Sequence, residues 1–333
     1  MHPYRVIGIE SSPYAVKVRA VMRYRRLPHV WVARMPQFFA ETQHVRPLIM
    51  PVVQFPDGTY RSDSTPIIHA LEQEAGGARS VLPANRGLDF LSDLIEDLAD
   101  EWLTKSLFHF RFSRDADRRS GAGWVIDDAH ADVDGEQLPP MVQAFIERQV
   151  SRMPLVGCTP ANGGVLERFY LELLDALESF VATDRFLFGS RPSLADFGLF
   201  GQLYTLAHDP TPMAIMRERA PRTWRWVLRL DDASGVEGDW RDPTEPAPAV
   251  VAQLLELAGR YYLPFLDANA RAIDQGETEV AAVVDGDTFR QPAYRYQRKC
   301  FDYLKRRFAA LPDAARQTVS PLLEANGCLR WLD

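Results

Sequence analysis

The chain has 333 residues, 46% hydrophobic and 25% charged, and its 38 Lys and Arg against 45 Asp and Glu give a formal net charge of −7. That length predicts two domains with an extension rather than one core. The acidic balance excludes a basic field that would draw the protein to nucleic acid or anionic lipid, so neither is an expected partner.

The three cysteines, Cys158, Cys300 and Cys328, stand far apart without C-x-x-C spacing, a pattern that predicts a reducing compartment. The first residues run straight into a strand pattern, with no basic segment followed by an apolar one. No apolar stretch approaches the ~20 residues that a bilayer span needs. A cytoplasmic enzyme or binding protein is therefore the expectation. The clusters Arg23, Arg25, Arg26 and Lys305, Arg306, Arg307 read as solvated helix faces.

In chain order, Tyr4 to Ile9 is a β-rich run that stops at Ser-Ser-Pro. Ser12 is an N-cap candidate and Pro13 sits at the first helical position, so a helix is predicted to about Arg26. His29 to Ala33 is a second strand, Pro36 to His44 a short helix, and Pro51 to Phe55 a third strand. Asp57-Gly58 makes a tight turn into a fourth strand, Thr59 to Ser62, and Asp63 to Glu74 a helix ending near Gly76-Gly77. A β-α-β unit closed by a hairpin is the thioredoxin-like order.

From Leu88 the periodicity becomes helical throughout. Leu88 to Phe112 reads as one long helix, Ser113 to Gln137 as a polar loop or lid, and Pro140 to Met153 as a shorter helix. Helices are then expected over Val165 to Val181, Ser193 to Ala207 and Pro212 to Leu230. Asp242 to Pro248 is a linker. Beyond it come a helix from Val250 to Ile273, a hairpin turning at Asp285-Gly286, and helices over Tyr294 to Ala309 and Asp313 to Asn326.

Four strings carry chemistry or diagnostic structure. Ser11-Ser12-Pro13-Tyr14-Ala15-Val16-Lys17-Val18-Arg19 opens the first helix, where a hydroxyl beside the positive helix end can stabilise a thiolate. Ser12 as a plain N-cap is the alternative. Met50-Pro51-Val52-Val53 precedes the third strand and reads either as a proline that exposes backbone for a peptide ligand or as the start of an edge strand. Arg61-Ser62-Asp63-Ser64 opens the third long helix with both groups a zwitterion needs: a carboxylate for an ammonium, and a hydroxyl with helix amides for a carboxylate. Ser193 to Asp196 fits a capping box, flanked by Pro192 and Phe197.

In this order and spacing the strings resemble the cytosolic glutathione transferase superfamily, bacterial serine-type, over roughly residues 4 to 230. The resemblance implies an α/β thioredoxin-like N-terminal domain (1–78) and an all-α C-terminal domain (87–240), followed here by a mostly α extension with a β-hairpin (241–333). It implies that Ser12, with Ser11 as substitute, faces the glutathione sulfur. Met50, a cis Pro51 and Val52 would hold the cysteinyl unit, and Asp63 and Ser64 the γ-glutamyl group. The equivalent of the first long helix lines the second-substrate pocket and joins a homodimer interface, which nominates Trp102, Lys105 and His109, together with Tyr14 from the N-terminal unit, for that pocket. A buried aromatic face is the alternative for this stripe.

No H-E-x-x-H spacing occurs among the seven histidines, and no G-x-G-x-x-G or P-loop string is present, so neither a metal nor a nucleotide is expected. The expected function is activation of the glutathione thiolate for attack on a small apolar electrophile, as in detoxification, with glutathione as co-substrate. The rivals are a non-catalytic glutathione-binding or protein-interaction descendant of the fold, and a glutathione-dependent lyase, peroxidase or dehalogenase. The extension is expected to narrow the pocket or buttress a dimer, with a separate partner-binding module as the rival.

Overall fold

The structure is a computed structural model that describes residues 2–33, 38–77, 79–181 and 185–333. Strand β1 (Tyr4–Gly8), helix α1 (Pro13–Tyr24) and strand β2 (His29–Ala33) form the expected β-α-β unit, with β1 and β2 parallel. Helix α2 (Phe38–Thr42) follows; the expected start at Pro36 lies outside the described residues. Strands β3 (Val52–Gln54) and β4 (Tyr60–Ser62) add antiparallel on the far side of β1, so the sheet order is β2-β1-β3-β4. Helix α3 (Ser64–Ala75) closes this thioredoxin-like unit.

Local chemistry explains these elements. Val6, Ile7, Val52 and Val53 are β-branched and fully buried, as residues of a sheet covered on both faces should be. At α1 the Ser12 hydroxyl accepts from the Ala15 amide and Pro13 occupies the first turn, where its missing N–H costs nothing.

The helical part begins with α4 (Arg86–Leu98), capped by Asn85, and continues through a π turn, Ala99–Leu103, into α5 (Thr104–Ser113). The expected single helix is thus continuous but carries an i→i+5 segment, which shifts the side-chain phase at Trp102. The expected loop at Ser113 to Gln137 is corrected: α6 (Asp115–Ala129) occupies most of it. Gly121 looks like a breaker in sequence, yet a Cβ there would lie 2.8 Å from Arg111 Cγ, so its smallness lets α6 pack on α5. Asp117 fixes α6 from the other end by accepting from the Thr211 amide and hydroxyl, both at 2.6 Å.

Helices α7 (Leu138–Arg152), α8 (Pro160–Val181) and α9 (Leu194–Leu206) follow. At α9 the Ser193–Asp196 capping box is formed, and burial pushes the Asp196 carboxyl up to about 6. Packing of α9 on α1 depends on Gly201, where a Cβ would stand 2.5 Å from the Pro13 carbonyl oxygen. The expected helix over Pro212 to Leu230 divides into α10 (Pro210–Arg219) and α11 (Pro221–Leu230), because Pro221 disfavours helical geometry at Ala220.

The C-terminal segment forms α12 (Ala249–Leu257), a second π turn (Ala258–Tyr262) and α13 (Leu263–Asp274). The hairpin β5 (Glu279–Val284) and β6 (Asp287–Pro292) follows, then α14 (Arg295–Ala309), α15 (Asp313–Ala325) and α16 (Leu329–Leu332). It is no separate module. Val250, Tyr261, Phe265, Phe289 and Leu304 are buried in the same hydrophobic core as Phe90, Trp102 and Phe169.

Candidate active site

A cavity of about 410 Å³ lies where the thioredoxin-like unit, the α4–α5 helix and the extension meet. Three layers of residues build it.

The first layer comes from the sheet side. Met50, whose peptide bond to Pro51 is cis, and Asp63 and Ser64 at the start of α3 line the cavity. Asp63 has φ of 76°, a left-handed conformation that costs a non-glycine residue of order 1–3 kcal/mol. Its half-buried carboxyl is pushed up by desolvation, which outweighs the Tyr296 hydrogen bond and the Lys17 charge. The Ser64 hydroxyl points toward Asp100 Oδ2 at 3.5 Å, at the outer limit of a hydrogen bond.

The second layer is the helical wall. Asp97, Asp100, Glu101, Thr104, Lys105 and Phe108 present an i, i+3/i+4 stripe across the π turn. Burial pushes Asp97 up to about 8, against the hydrogen bond from the Tyr262 hydroxyl at 2.6 Å. Burial also raises Asp100 to about 7, although the Lys17 ammonium pulls it back. Glu101 is raised by burial and then by Asp97 and Asp100. Lys105 brings a cation to this wall, and burial lowers it to about 8. Its Nζ donates to Gln291 Oε1 at 2.7 Å and to the Val156 carbonyl at 3.3 Å. Behind the wall, fully buried Lys17 pairs with Glu96 and with Asp100 at 2.7 Å, and the Thr65 hydroxyl donates to Glu96 at 2.5 Å. This network locks α1, α3 and α4 together.

The third layer comes from the extension: Gln291, Tyr294, Tyr296 and Gln297 also line the cavity.

The residues nominated from sequence divide accordingly. Met50, Asp63, Ser64, Tyr14 and Lys105 are brought together around the cavity. Tyr14 donates its hydroxyl to the Asp100 carbonyl at 2.9 Å and reaches Thr104 Oγ1 at 3.2 Å. Pro51 and Val52 are buried and are not among the lining residues. Ser12 and Ser11 are not among the lining residues. Ser12 caps α1, whereas Ser11 is tied down through its backbone, its amide donating to Asp128 Oδ2 at 2.8 Å and its carbonyl accepting from Arg111 at 3.1 Å. Trp102 and His109 are not brought to the cavity. Trp102 lies inside the π turn and packs in the core against Phe169, Tyr261, Phe265 and Phe289; His109 sits 2.9 Å from Glu167 on another face.

The lining residues not nominated from sequence are of two kinds. Asp97, Asp100 and Glu101 carry a readable signal, ionisable side chains recurring on a buried helix. Tyr296 and Gln297 carry none, since only the tertiary fold brings them to Asp63 at the start of α3 and to Glu101 in the π turn. Among the described residues no group of three or more His, Cys, Asp and Glu is placed to hold a metal ion, and no helix is long and apolar enough to cross a membrane.

Comparison with known proteins gives two family matches in chain order. Residues 6–79 match the glutathione S-transferase N-terminal domain and residues 170–229 the glutathione S-transferase C-terminal domain. No curated protein matches the chain. Among solved structures, a beta-etherase from Sphingobium sp. strain SYK-6 is 16% identical with a TM-score of 0.49, over 77% of this chain and 99% of its own. A glutathione S-transferase from Methylobacterium radiotolerans, in complex with glutathione sulfonate, is 21% identical with a TM-score of 0.44, over 74% and 100%. One from Methylobacillus flagellatus, with glutathione bound, is 18% identical with a TM-score of 0.43, over 69% and 96%.

Proposed function

We propose that this chain, which belongs to the glutathione S-transferase superfamily, binds glutathione in the cavity between its sheet, its α4–α5 helix and its extension, and activates the thiolate for attack on an apolar electrophile. The observation that carries the reading is the convergence of Met50, Asp63, Ser64 and Tyr14 on one cavity. In this reading Asp63 takes the γ-glutamyl ammonium, Ser64 and the first amides of α3 take its carboxylate, and the backbone around Met50 and Val52 pairs with the cysteinyl unit.

Two hydroxyls at the start of α1 compete for the sulfur. The sequence pattern favours Ser12. What supports Tyr14 is that it lines the cavity and Ser12 does not, so we assign the thiolate hydrogen bond to Tyr14, whose hydroxyl turns to the sulfur from the Asp100 carbonyl, and an orienting role to Ser12, the cap of α1. The electrophile enters against Phe108, Leu155 and Val156. The sulfur forms a bond to its electrophilic carbon, the displaced group leaves with the bonding pair or the pair moves onto the acceptor, and the thiol proton passes to solvent. Lys105, when charged, faces the negative charge that develops there.

A homodimer with the partner facing the site needs α4 to be open. Its acidic face instead meets Arg307 and Tyr303 of the same chain, which supports a monomer at that face. A cytoplasmic location agrees with three free cysteines, and a detoxifying role follows if the electrophile is foreign. The rivals are a binding protein without turnover and a glutathione-dependent lyase, peroxidase or dehalogenase. Thermal unfolding with and without millimolar glutathione separates these. The reading predicts a stabilisation that Asp63→Ala removes, followed by turnover of a chlorinated aromatic. No stabilisation would set the glutathione reading aside, and stabilisation without turnover would favour the rivals.

A further inference from the structure

Three of the four extension residues that line the cavity are bonded to a residue of its other walls. Gln291 accepts from Lys105, the Gln297 amide reaches Glu101 Oε2 at 3.4 Å, and the Tyr296 hydroxyl donates to Asp63 Oδ2 at 3.1 Å. The two glutamines are also joined, Gln291 Nε2 to Gln297 Oε1 at 3.3 Å, so this side is a short polar chain anchored on buried Lys105. Tyr296 differs from them. It is 38% exposed, and the ring beside it, Tyr294 at 6.4 Å between centroids, is 51% exposed. Its ring can therefore turn with little loss of packing, and the bond to Asp63 is the main polar contact that holds its hydroxyl at the cavity.

Asp63 is the carboxylate that the proposed function gives to the γ-glutamyl ammonium, and the role inferred for Tyr296 rests on that assignment. We propose that Tyr296 is a specificity-determining latch: its phenol holds Asp63 and is displaced by a ligand that brings an ammonium beside a carboxylate. The exchange has a direction. A hydrogen bond from an ammonium to a carboxylate has charge on both partners and is stronger than one from a neutral phenol. A ligand with an α-ammonium offsets the lost Tyr296 bond, and the same skeleton without the amine does not. Once released, the aromatic ring is free to lie against the bound ligand, while Gln297 and Gln291 keep Glu101 and Lys105 in place. The extension thus sets a threshold on which peptides the cavity accepts.

Removing the phenol hydroxyl should tighten binding, the reverse of what a residue that merely supports the ligand would do. Calorimetric titration of the full chain and of Tyr296→Phe with glutathione, and with glutathione lacking the γ-glutamyl α-amine, tests this. The exposed position and the conservative change keep the fold intact. The latch predicts glutathione affinity about threefold to tenfold higher in Tyr296→Phe, as expected for loss of one competing hydrogen bond. It also predicts that the deaminated peptide binds the unaltered chain at least about tenfold more weakly than glutathione does. Equal or weaker glutathione binding by Tyr296→Phe, with the unaltered chain still binding, overturns the latch alone. Absence of glutathione binding to both proteins overturns the latch together with the reading beneath it.

Discussion

Lys17 Nζ and Asp100 Oδ2 lie 2.7 Å apart, with Lys17 fully buried and Asp100 nearly so. The pair stands directly behind the cavity and joins α1 to the π turn. Burial alone would lower the Lys17 ammonium, but Asp100 and Glu96 hold it above its ordinary value. A cation raised in this way gives stability that is complete below its unfolded value near 10.5 and is lost as pH rises through the folded value, so the Lys17 ammonium is charged at neutral pH.

Replacing Lys17 by Met leaves two buried carboxylates without their cation. The expected cost is about 3–5 kcal/mol, the range for removing one partner of a buried pair. Urea unfolding at neutral pH measures it, and adding Glu96→Gln and Asp100→Asn should restore much of the loss. A cost below about 1 kcal/mol for Lys17→Met, as found for exposed pairs, would contradict a buried network.

The buried carboxyls of α4 and the π turn predict an unusual pH dependence. Burial raises Asp93 to about 7, Asp97 to about 8 and Asp100 to about 7, all above the ordinary 3.8. Between about pH 4 and 8 the folded chain therefore holds more protons at these sites than the unfolded chain does. The slope of unfolding free energy against pH is negative there, so these groups make stability fall as pH rises. Thermal midpoints measured from about pH 5 to 8 should decline, and Asp97→Asn, which keeps an acceptor for Tyr262, should flatten the decline. A profile that Asp97→Asn leaves unchanged would remove Asp97 from this account.

Tyr14 and Ser12 separate by their effect on kcat. Tyr14→Phe should lower kcat with glutathione about tenfold or more, and it should cost about 1 kcal/mol of stability because the Tyr14 hydroxyl bonds the Asp100 carbonyl and Thr104. Ser12→Ala should cost about 1 kcal/mol of stability, the usual value of an N-cap, with kcat reduced less than about threefold. The opposite pattern, a large kcat loss in Ser12→Ala alone, would return the sulfur to Ser12.

The covered face of α4 predicts the state in solution. Arg307 reaches Asp89 at 2.9 Å and Asp93 at 2.5 Å, and Tyr303 donates to Asp93 at 3.2 Å. Light scattering on the full chain should give the mass of one copy. A stable dimer whose contacts map to α4 by cross-linking would mean that the extension moves away from this face.

Much of the frame was legible in the sequence. The Ser193–Asp196 box, the Asp57-Gly58 turn and the Asp285-Gly286 hairpin are local devices whose geometry is set by neighbours within a few residues. Asp63 and Ser64 were legible for the same reason, as the opening of α3. The π turn at Ala99–Leu103 was not, because its extra residue leaves no mark on an apolar pattern, and the sequence alone could not decide between a pocket and a buried aromatic face for Trp102. Helix α6 was hidden by Gly121, whose reason is the side chain of Arg111 and not a turn. Tyr296 lies 233 positions from Asp63, and nothing short of the packed core relates them.

The central claim is that the cavity binds glutathione and favours its thiolate. The ultraviolet absorbance of bound thiolate, followed against pH under saturating glutathione, measures this without a second substrate. The account predicts a thiol titrating about one unit or more below free glutathione, equivalent to about 1.4 kcal/mol of differential stabilisation, with the shift lost in Tyr14→Phe. Bound glutathione titrating like the free peptide, or no binding at all, would contradict it.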